Sequence, residues 1–265
     1  QEDRFVVAPR LYGSNGLQFY GVFDGTVGDF ASDYVHTHFL ENMLNYNRDF
    51  FERDPDRMTE LNVFKDAMAH AYKKTDTDLL ELCEKMEIGY SASTSATVLR
   101  CNNVMTIGHL ADSRIALGYS KHKGTIRGGF LTMDHKPNLP NELKRITEAG
   151  GSLVYLYASQ KPFIRGGDFL ERQRRGERPM QLNYSRAFGA KNLKPYGLSA
   201  EPDISQIGLQ EGDKYIVIAS DGVWDAMDVD FVMAVVHAAV KDGKDAAKEV
   251  VDAALYRQTL LGMVD

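Results

Sequence analysis

The chain has 265 residues, 43% of them apolar and 26% charged, with a formal net charge of −6. That length can bury a sizeable core, and the composition is that of an ordinary globular protein. The acidic balance excludes a non-specific nucleic-acid or anionic-membrane binder and leaves room for cations.

No run of about 18 or more apolar residues marks a transmembrane helix. Cys83 lies in a helical pattern and Cys101 follows a strand-like run, with no Cys-x-x-Cys. They read as buried thiols of a reducing compartment, which argues against a cysteine phosphatase or protease. No signal peptide is visible. Because the chain opens inside a motif and stops on Asp265, we expect it to be trimmed at both ends, with targeting segments outside it. A cytoplasmic or nuclear location is expected.

In chain order, residues 4–10 and 17–24 read as strands joined by a turn with Gly13, Asn15 and Gly16. Helical spacing runs over 28–46 through Phe30, Tyr34, Val35, Phe39 and Met43, and over about 59–86 through Leu61, Phe64, Met68, Tyr72 and Leu79. Strands are predicted at 96–100, 104–109, 115–118 and 130–132. A short helix at 140–149 stops at Gly150-Gly151. Strands follow at 152–157, 203–209 and 214–220, and two helices close the chain at about 229–241 and 245–260, parted by Gly243. Short turns and no βαβ alternation predict an α+β sandwich of antiparallel sheets with helices outside, in one domain over 1–265. Residues 158–181 lose apolar periodicity. Between 161 and 178 stand six basic and three acidic residues, so this stretch is read as a long basic surface loop, functional or disordered.

The chemistry lies in acidic motifs. The strand-like runs ending in Val22-Phe23-Asp24-Gly25 and Ala219-Ser220-Asp221-Gly222 both finish on Asp-Gly. Either pair alone is a common turn. Together they could set two carboxylates at one edge of a sandwich, where hard oxygen ligands suit Mg²⁺ or Mn²⁺. No Gly-x-Ser-x-Gly, His-Glu-x-x-His or Walker motif supplies another chemistry.

Eight segments in order then carry a resemblance. They are 1–5 (Gln-Glu-Asp-Arg-Phe), 21–25 (Gly-Val-Phe-Asp-Gly), 91–96 (Ser-Ala-Ser-Thr-Ser-Ala) and 111–114 (Ala-Asp-Ser-Arg), followed by 131–137, 145–151, 185–189 and 219–225. The chain resembles the metal-dependent PP2C (PPM) family of protein serine/threonine phosphatases. The resemblance implies a four-layer αββα sandwich of two antiparallel sheets flanked by helices, with two Mg²⁺ or Mn²⁺ ions in a cleft and a third bound weakly. It implies Asp24 as the bridging ligand, Gly25 as a ligand through its carbonyl, and Asp221 and Asp265 as further ligands. Glu2 and Asp3 would hold metal-bound waters, and Asp112 would serve the third ion. Asp24 and Asp221 would carry catalysis, with water as nucleophile and phosphoproteins as substrates of a monomer. Asp134 and Asp225 are set aside as turn or capping residues, Ser185-Arg186 as structural, and Arg114 as a partner in a buried pair.

Three departures qualify the resemblance. Thr26-Val27-Gly28 stands where the family's eukaryotic pattern is His-Gly-Gly. Thr does not titrate near neutral pH, so a general-acid contribution of about 10²–10⁴ in rate would be missing. A slower enzyme is expected, with a catalytically silent binding module as the alternative. The family's phosphate-binding Arg precedes the Glu-Asp motif and is expected upstream of Gln1. The basic stretch 158–181 falls near the family's substrate-contacting flap, where Arg172, Arg174 and Arg175 could grip phosphate bidentately or simply be solvated.

Overall fold

The computed structural model describes residues 1–51, 61–122, 125–156 and 160–262. Alternating burial makes β2 (Leu17–Phe23): Leu17, Phe19 and Phe23 are buried, while Gln18, Tyr20 and Val22 are only partly so. β2 pairs on one side with β1 (Arg4–Ala8) and on the other with β5 (Ser95–Cys101). β6 (Val104–Leu110) and β13 (Asp203–Gly208) complete an antiparallel sheet in the order β1-β2-β5-β6-β13. A second antiparallel sheet runs β14 (Asp213–Ala219), β7 (Arg114–His122), β8 (Thr125–Phe130).

The sheets meet over Ala96, Val98, Met105, Ile107 and Ile115, with Ile216 and Ile218 packed against them. Outside the five-stranded sheet lie α1 (Phe30–Asn45) and α3 (Leu61–Lys85). Val35, Phe39 and Met43 of α1 and Phe64, Met68 and Tyr72 of α3 join Phe19, Phe23 and Leu99 in one buried cluster. Outside the second sheet, α7 (Val229–Lys241) and α8 (Ala246–Leu261) bury Val232, Met233, Val236, Val250 and Ala254 against Ala116. The four-layer αββα sandwich is therefore present, with each helix pair covering one sheet. Among the described residues no helix is long and apolar enough to cross a membrane.

Two expectations need correction. The strand placed at 130–132 is β8, which runs Thr125–Phe130. Its apolar signal is hidden by Gly128, where an added Cβ would stand 2.6 Å from Val229 of α7. The helix packs on the strand because that side chain is missing. The stretch 158–181 is more than a loop. Its described part holds β10 (Pro162–Arg165), α5 (Phe169–Arg174) and the first residue of β11 (Gln181–Leu182). With β9 (Ser152–Tyr155) these form a small sheet, β11-β10-β9. Ile164, Met180 and Leu182 join Ile146, on α4 (Pro140–Glu148), and Leu193 in a separate core. Elements this short carry too few apolar residues to register as a period.

Candidate metal centre

The acids come together from three chain segments. Asp24 follows β2, Asp112 lies in the turn from β6 to β7, and Asp221 opens the four-residue helix α6 (Asp221–Trp224) after β14. Thr94 ties the first two: Asp24 donates its amide to Thr94 Oγ1 at 3.0 Å, and Thr94 Oγ1 lies 2.6 Å from Ser113 Oγ. The Thr94 amide returns a bond to the Asp24 carbonyl at 2.9 Å. Ser220 Oγ donates to Asp3 Oδ2 at 3.1 Å, joining the chain start to the third segment. Thr94 and its neighbouring serines thus brace the strand ends from which the acids project.

Gly25 permits a close approach. A Cβ there would stand 2.8 Å from the Glu2 carbonyl oxygen and 2.8 Å from Ser32 Oγ. Ser32 Oγ donates to that same carbonyl at 2.6 Å, which seats the Glu2-Asp3 segment beside Asp24. Arg4 holds it from the other side, bonding Asp29 and Asp33 at the start of α1 and the Asp3 carbonyl.

The electrostatics are those of crowded acids. Burial, and after it the charges of Asp3 and Asp221, push the Asp24 carboxyl up to about 9, with a hydrogen bond shared with Asp3. Burial followed by Asp112 and Asp225 pushes Asp221 up to about 6, against Lys161 and Lys136. Burial raises Asp112 as well, opposed by Lys136, whose ammonium lies 2.6 Å from Asp112 Oδ2. Such a group must hold protons or cations to remain packed. Its donors are hard oxygens, which fit Mg²⁺ or Mn²⁺ rather than a thiol- or imidazole-seeking ion. Among the described residues no group of three or more His, Cys, Asp or Glu side chains could hold a metal ion on its own. The rest of an octahedral shell would fall to waters and the Gly25 carbonyl, in keeping with the waters Mg²⁺ retains.

The structure thus gathers Asp3, Asp24, Asp112 and Asp221, with Gly25 at the edge. Glu2 is exposed and enters through its carbonyl. Asp265 lies outside the described residues. Arg172 and Arg175 already have partners: Arg172 bonds Asp168 of its own segment and, outside it, Tyr90 OH at 2.9 Å, and Arg175 pairs with Glu177 at 3.1 Å and Glu171 at 3.3 Å. Arg174 stands on the same short helix. Asp225, set aside from sequence, belongs with the cluster through its charge on Asp221. It falls four residues after Asp221, and that one-turn spacing is the signal that could have found it. Lys136 and Lys161 were also missed, and Lys161 Nζ lies 3.2 Å from Asp225 Oδ2.

Other motif residues are structural. Arg114 pairs with Asp134 at 2.5 Å and 2.7 Å. Arg186, Arg145 and Ser185 all donate to the buried carboxylate of Glu142. At the cleft, Tyr184 OH donates to Thr26 Oγ1 at 2.8 Å.

Comparison with known proteins matches residues 2–260 to the family model described as Protein phosphatase 2C. Probable protein phosphatase 2C 56 of Oryza sativa is 31% identical over 263 residues, which cover 98% of this chain and 64% of the rice protein. Probable protein phosphatase 2C 7 from the same plant is 29% identical, over 93% of this chain and 55% of its own length. The chain thus spans roughly half to two-thirds of these relatives. A crystal structure of serine-threonine phosphatase 2C from Toxoplasma gondii superposes with a TM-score of 0.92 at 39% identity, covering 99% of this chain and 86% of that one.

Proposed function

We propose, from the premise that this chain belongs to the protein phosphatase 2C family, that it is a Mg²⁺- or Mn²⁺-dependent protein serine/threonine phosphatase. The observation that carries the reading is the convergence of Asp3, Asp24, Asp112 and Asp221 on one cleft, with the carboxyls of Asp24, Asp112 and Asp221 raised by burial and by neighbouring acids.

Asp24, Asp221, Asp112 and the Gly25 carbonyl would hold the ions, with Asp3 orienting waters and Asp265 completing the set. Two bound ions would supply Lewis-acid charge at the phosphoryl oxygens and a water of lowered pKa as nucleophile. The chain's own part is to place these acids at the mouth of the sandwich and hold them there through Thr94, Ser113 and Ser220. Thr26 cannot protonate a leaving alkoxide as an imidazolium could, and its oxygen is already an acceptor for Tyr184. Solvent would then protonate the departing serine or threonine, and turnover would be slower with such substrates than with a phenolic leaving group. The buried thiols of Cys83 and Cys101, which form no disulfide, suit a reducing intracellular compartment. The reading further takes the chain as one domain, acting as a monomer on phosphoproteins.

The test is hydrolysis of p-nitrophenyl phosphate and of a phosphothreonine peptide with and without Mn²⁺, by the wild type and by Asp24→Asn. We expect Mn²⁺-dependent turnover, faster with the phenyl ester, and a loss of at least 10²-fold in the variant, the scale of removing transition-state charge stabilisation. Turnover that ignores both Mn²⁺ and the substitution would sink the reading.

A further inference from the structure

Tyr184 lies at the foot of the cleft in the core it shares with Ala92, Ile164, Leu182 and Ala187, and only 3% of it is exposed. Among the described residues its hydroxyl bonds to Thr26 Oγ1, at 2.8 Å. Thr26 belongs to the two-residue strand β3 (Gly25–Thr26), which pairs with β4 (Ala92–Ser93), itself paired with β12 (Phe188–Gly189). The ladder holds Thr26 opposite Ala92 and two residues on from Asp24, and leaves it only partly buried.

Only one arrangement of the two hydroxyl hydrogens satisfies this core. Each hydroxyl has a single hydrogen to give and accepts through its lone pairs. If Thr26 donated to Tyr184, the phenolic O–H would be stranded among apolar side chains, which is costly. Tyr184 therefore donates. Burial, joined by the charges of Asp112, Asp24 and Asp221, holds its phenol well above the ordinary range and keeps it protonated. The Thr26 oxygen accepts from the core side, and its own hydrogen is left for the cleft. No acceptor among the described residues takes that hydrogen.

We propose that Thr26 is a catalytic hydrogen-bond donor to the leaving oxygen of a phosphoserine or phosphothreonine, and that Tyr184 is the positioning residue that aims it. The proposal rests on the phosphatase reading above and adds a pair of side chains to it. As the oxygen of water bonds to phosphorus, the bond from phosphorus to the side-chain oxygen breaks. One proton of the water stays on the phosphate formed and the other passes to solvent. The departing oxygen keeps the bonding electron pair and takes one proton from solvent, while Thr26 shares its hydrogen without giving it up. A proton relay from Tyr184 through Thr26 fails on charge, because it would leave a buried phenolate facing Asp24, Asp112 and Asp221. The donor gains most where the leaving oxygen builds most charge, so it favours alkyl over phenyl phosphoesters.

The experiment uses the whole chain in Mn²⁺ as wild type, Thr26→Val, Thr26→Ser, Tyr184→Phe and the double variant Thr26→Val/Tyr184→Phe. kcat and KM are measured with a phosphothreonine peptide and with p-nitrophenyl phosphate, and thermal melts check that each protein folds. Thr26→Val keeps the shape without the hydroxyl. It should lower kcat for the peptide about tenfold more than for the phenyl ester, with KM little changed. That is less than the roughly 10²–10³ of an enclosed donor, since this cleft is open to water. Thr26→Ser should recover most of the loss. Tyr184→Phe should lower kcat for the peptide several-fold and add nothing once Thr26→Val is present, as expected of a pair that acts as one unit. Mn²⁺ affinity by titration calorimetry should be the same in wild type and Thr26→Val. Equal losses on the two substrates, no loss on either, or weakened Mn²⁺ binding by Thr26→Val would overturn the donor role. Additive losses would overturn the positioning role of Tyr184. No turnover of either substrate by the wild type would overturn the phosphatase reading and the donor role with it.

Discussion

Val27 sits beside the cleft with φ 59°, a left-handed backbone that a β-branched side chain resists. The conformation costs roughly 1–2 kcal/mol in an L-residue. The side chain is 57% exposed, so little packing offsets that cost. Val27→Gly should therefore stabilise the chain by about 0.5–1 kcal/mol after the added freedom of glycine in the unfolded state. That corresponds to roughly 2 °C in Tm, read by thermal unfolding of the two proteins side by side. An unchanged or lowered Tm would mean the loop is relaxed as it stands. The sequence showed Thr26-Val27 as a departure from a pattern, but a residue's name does not reveal its φ. Asp24 and Asp221 were legible because each ends an apolar strand on Asp-Gly. Lys161 was not, because its partner lies far along the chain and only the fold brings them together.

At the scale of elements, α4 is fastened to the segment around Ser185 by Glu142. Its side chain is buried among Arg145, Arg186 and Ser185. Burial alone would raise this carboxyl, but the hydrogen bonds from Arg145, Arg186 and Ser185 outweigh it and bring it down to about 2. A carboxyl depressed in the folded state stabilises at pH values above its unfolded pKa of about 4.3 and loses that stabilisation as pH falls toward the folded value. Glu142→Gln should cost on the order of 3 kcal/mol at pH 7, because it removes the buried charge that two guanidinium groups share. In urea titrations at several pH values, the gap between wild type and variant should narrow from pH 5 toward pH 3. A gap that stays constant would show that the charge of Glu142 is not what matters. The long elements were legible: the helices expected at 28–46 and about 59–86 are α1 at Phe30–Asn45 and α3 at Leu61–Lys85. The two-residue strands Gly25–Thr26 and Ala92–Ser93 were not, because two residues carry no period.

Across the whole molecule, the acid cluster couples stability to pH and metal in a direction opposite to Glu142. Carboxyls raised in the folded state hold protons there after the unfolded chain has released them, so folding loses stability as pH rises. With Asp24 at about 9 and Asp221 at about 6, that loss spans the range from about pH 4 to 9 in metal-free protein. Mn²⁺ should displace the protons, flatten the slope and raise stability, by about 2.7 kcal/mol at a hundredfold excess over Kd. Thermal melts at pH 6 and pH 8.5, in chelator and in Mn²⁺, would check it. A metal-free protein more stable at the higher pH would contradict the assignment.

Asp24 issues from the five-stranded sheet, Asp221 from the three-stranded one, and Asp112 from the turn that passes between them. The cleft is a seam, and its spacing is set by how Ala96, Ile107 and Ile115 seat one sheet on the other. A slide of a single residue, about 3.3 Å, would carry Asp221 that far from Asp24. The buried interface several residues below the surface therefore works as the caliper of the chemistry, and a repacking that leaves every acid in place could still misset it.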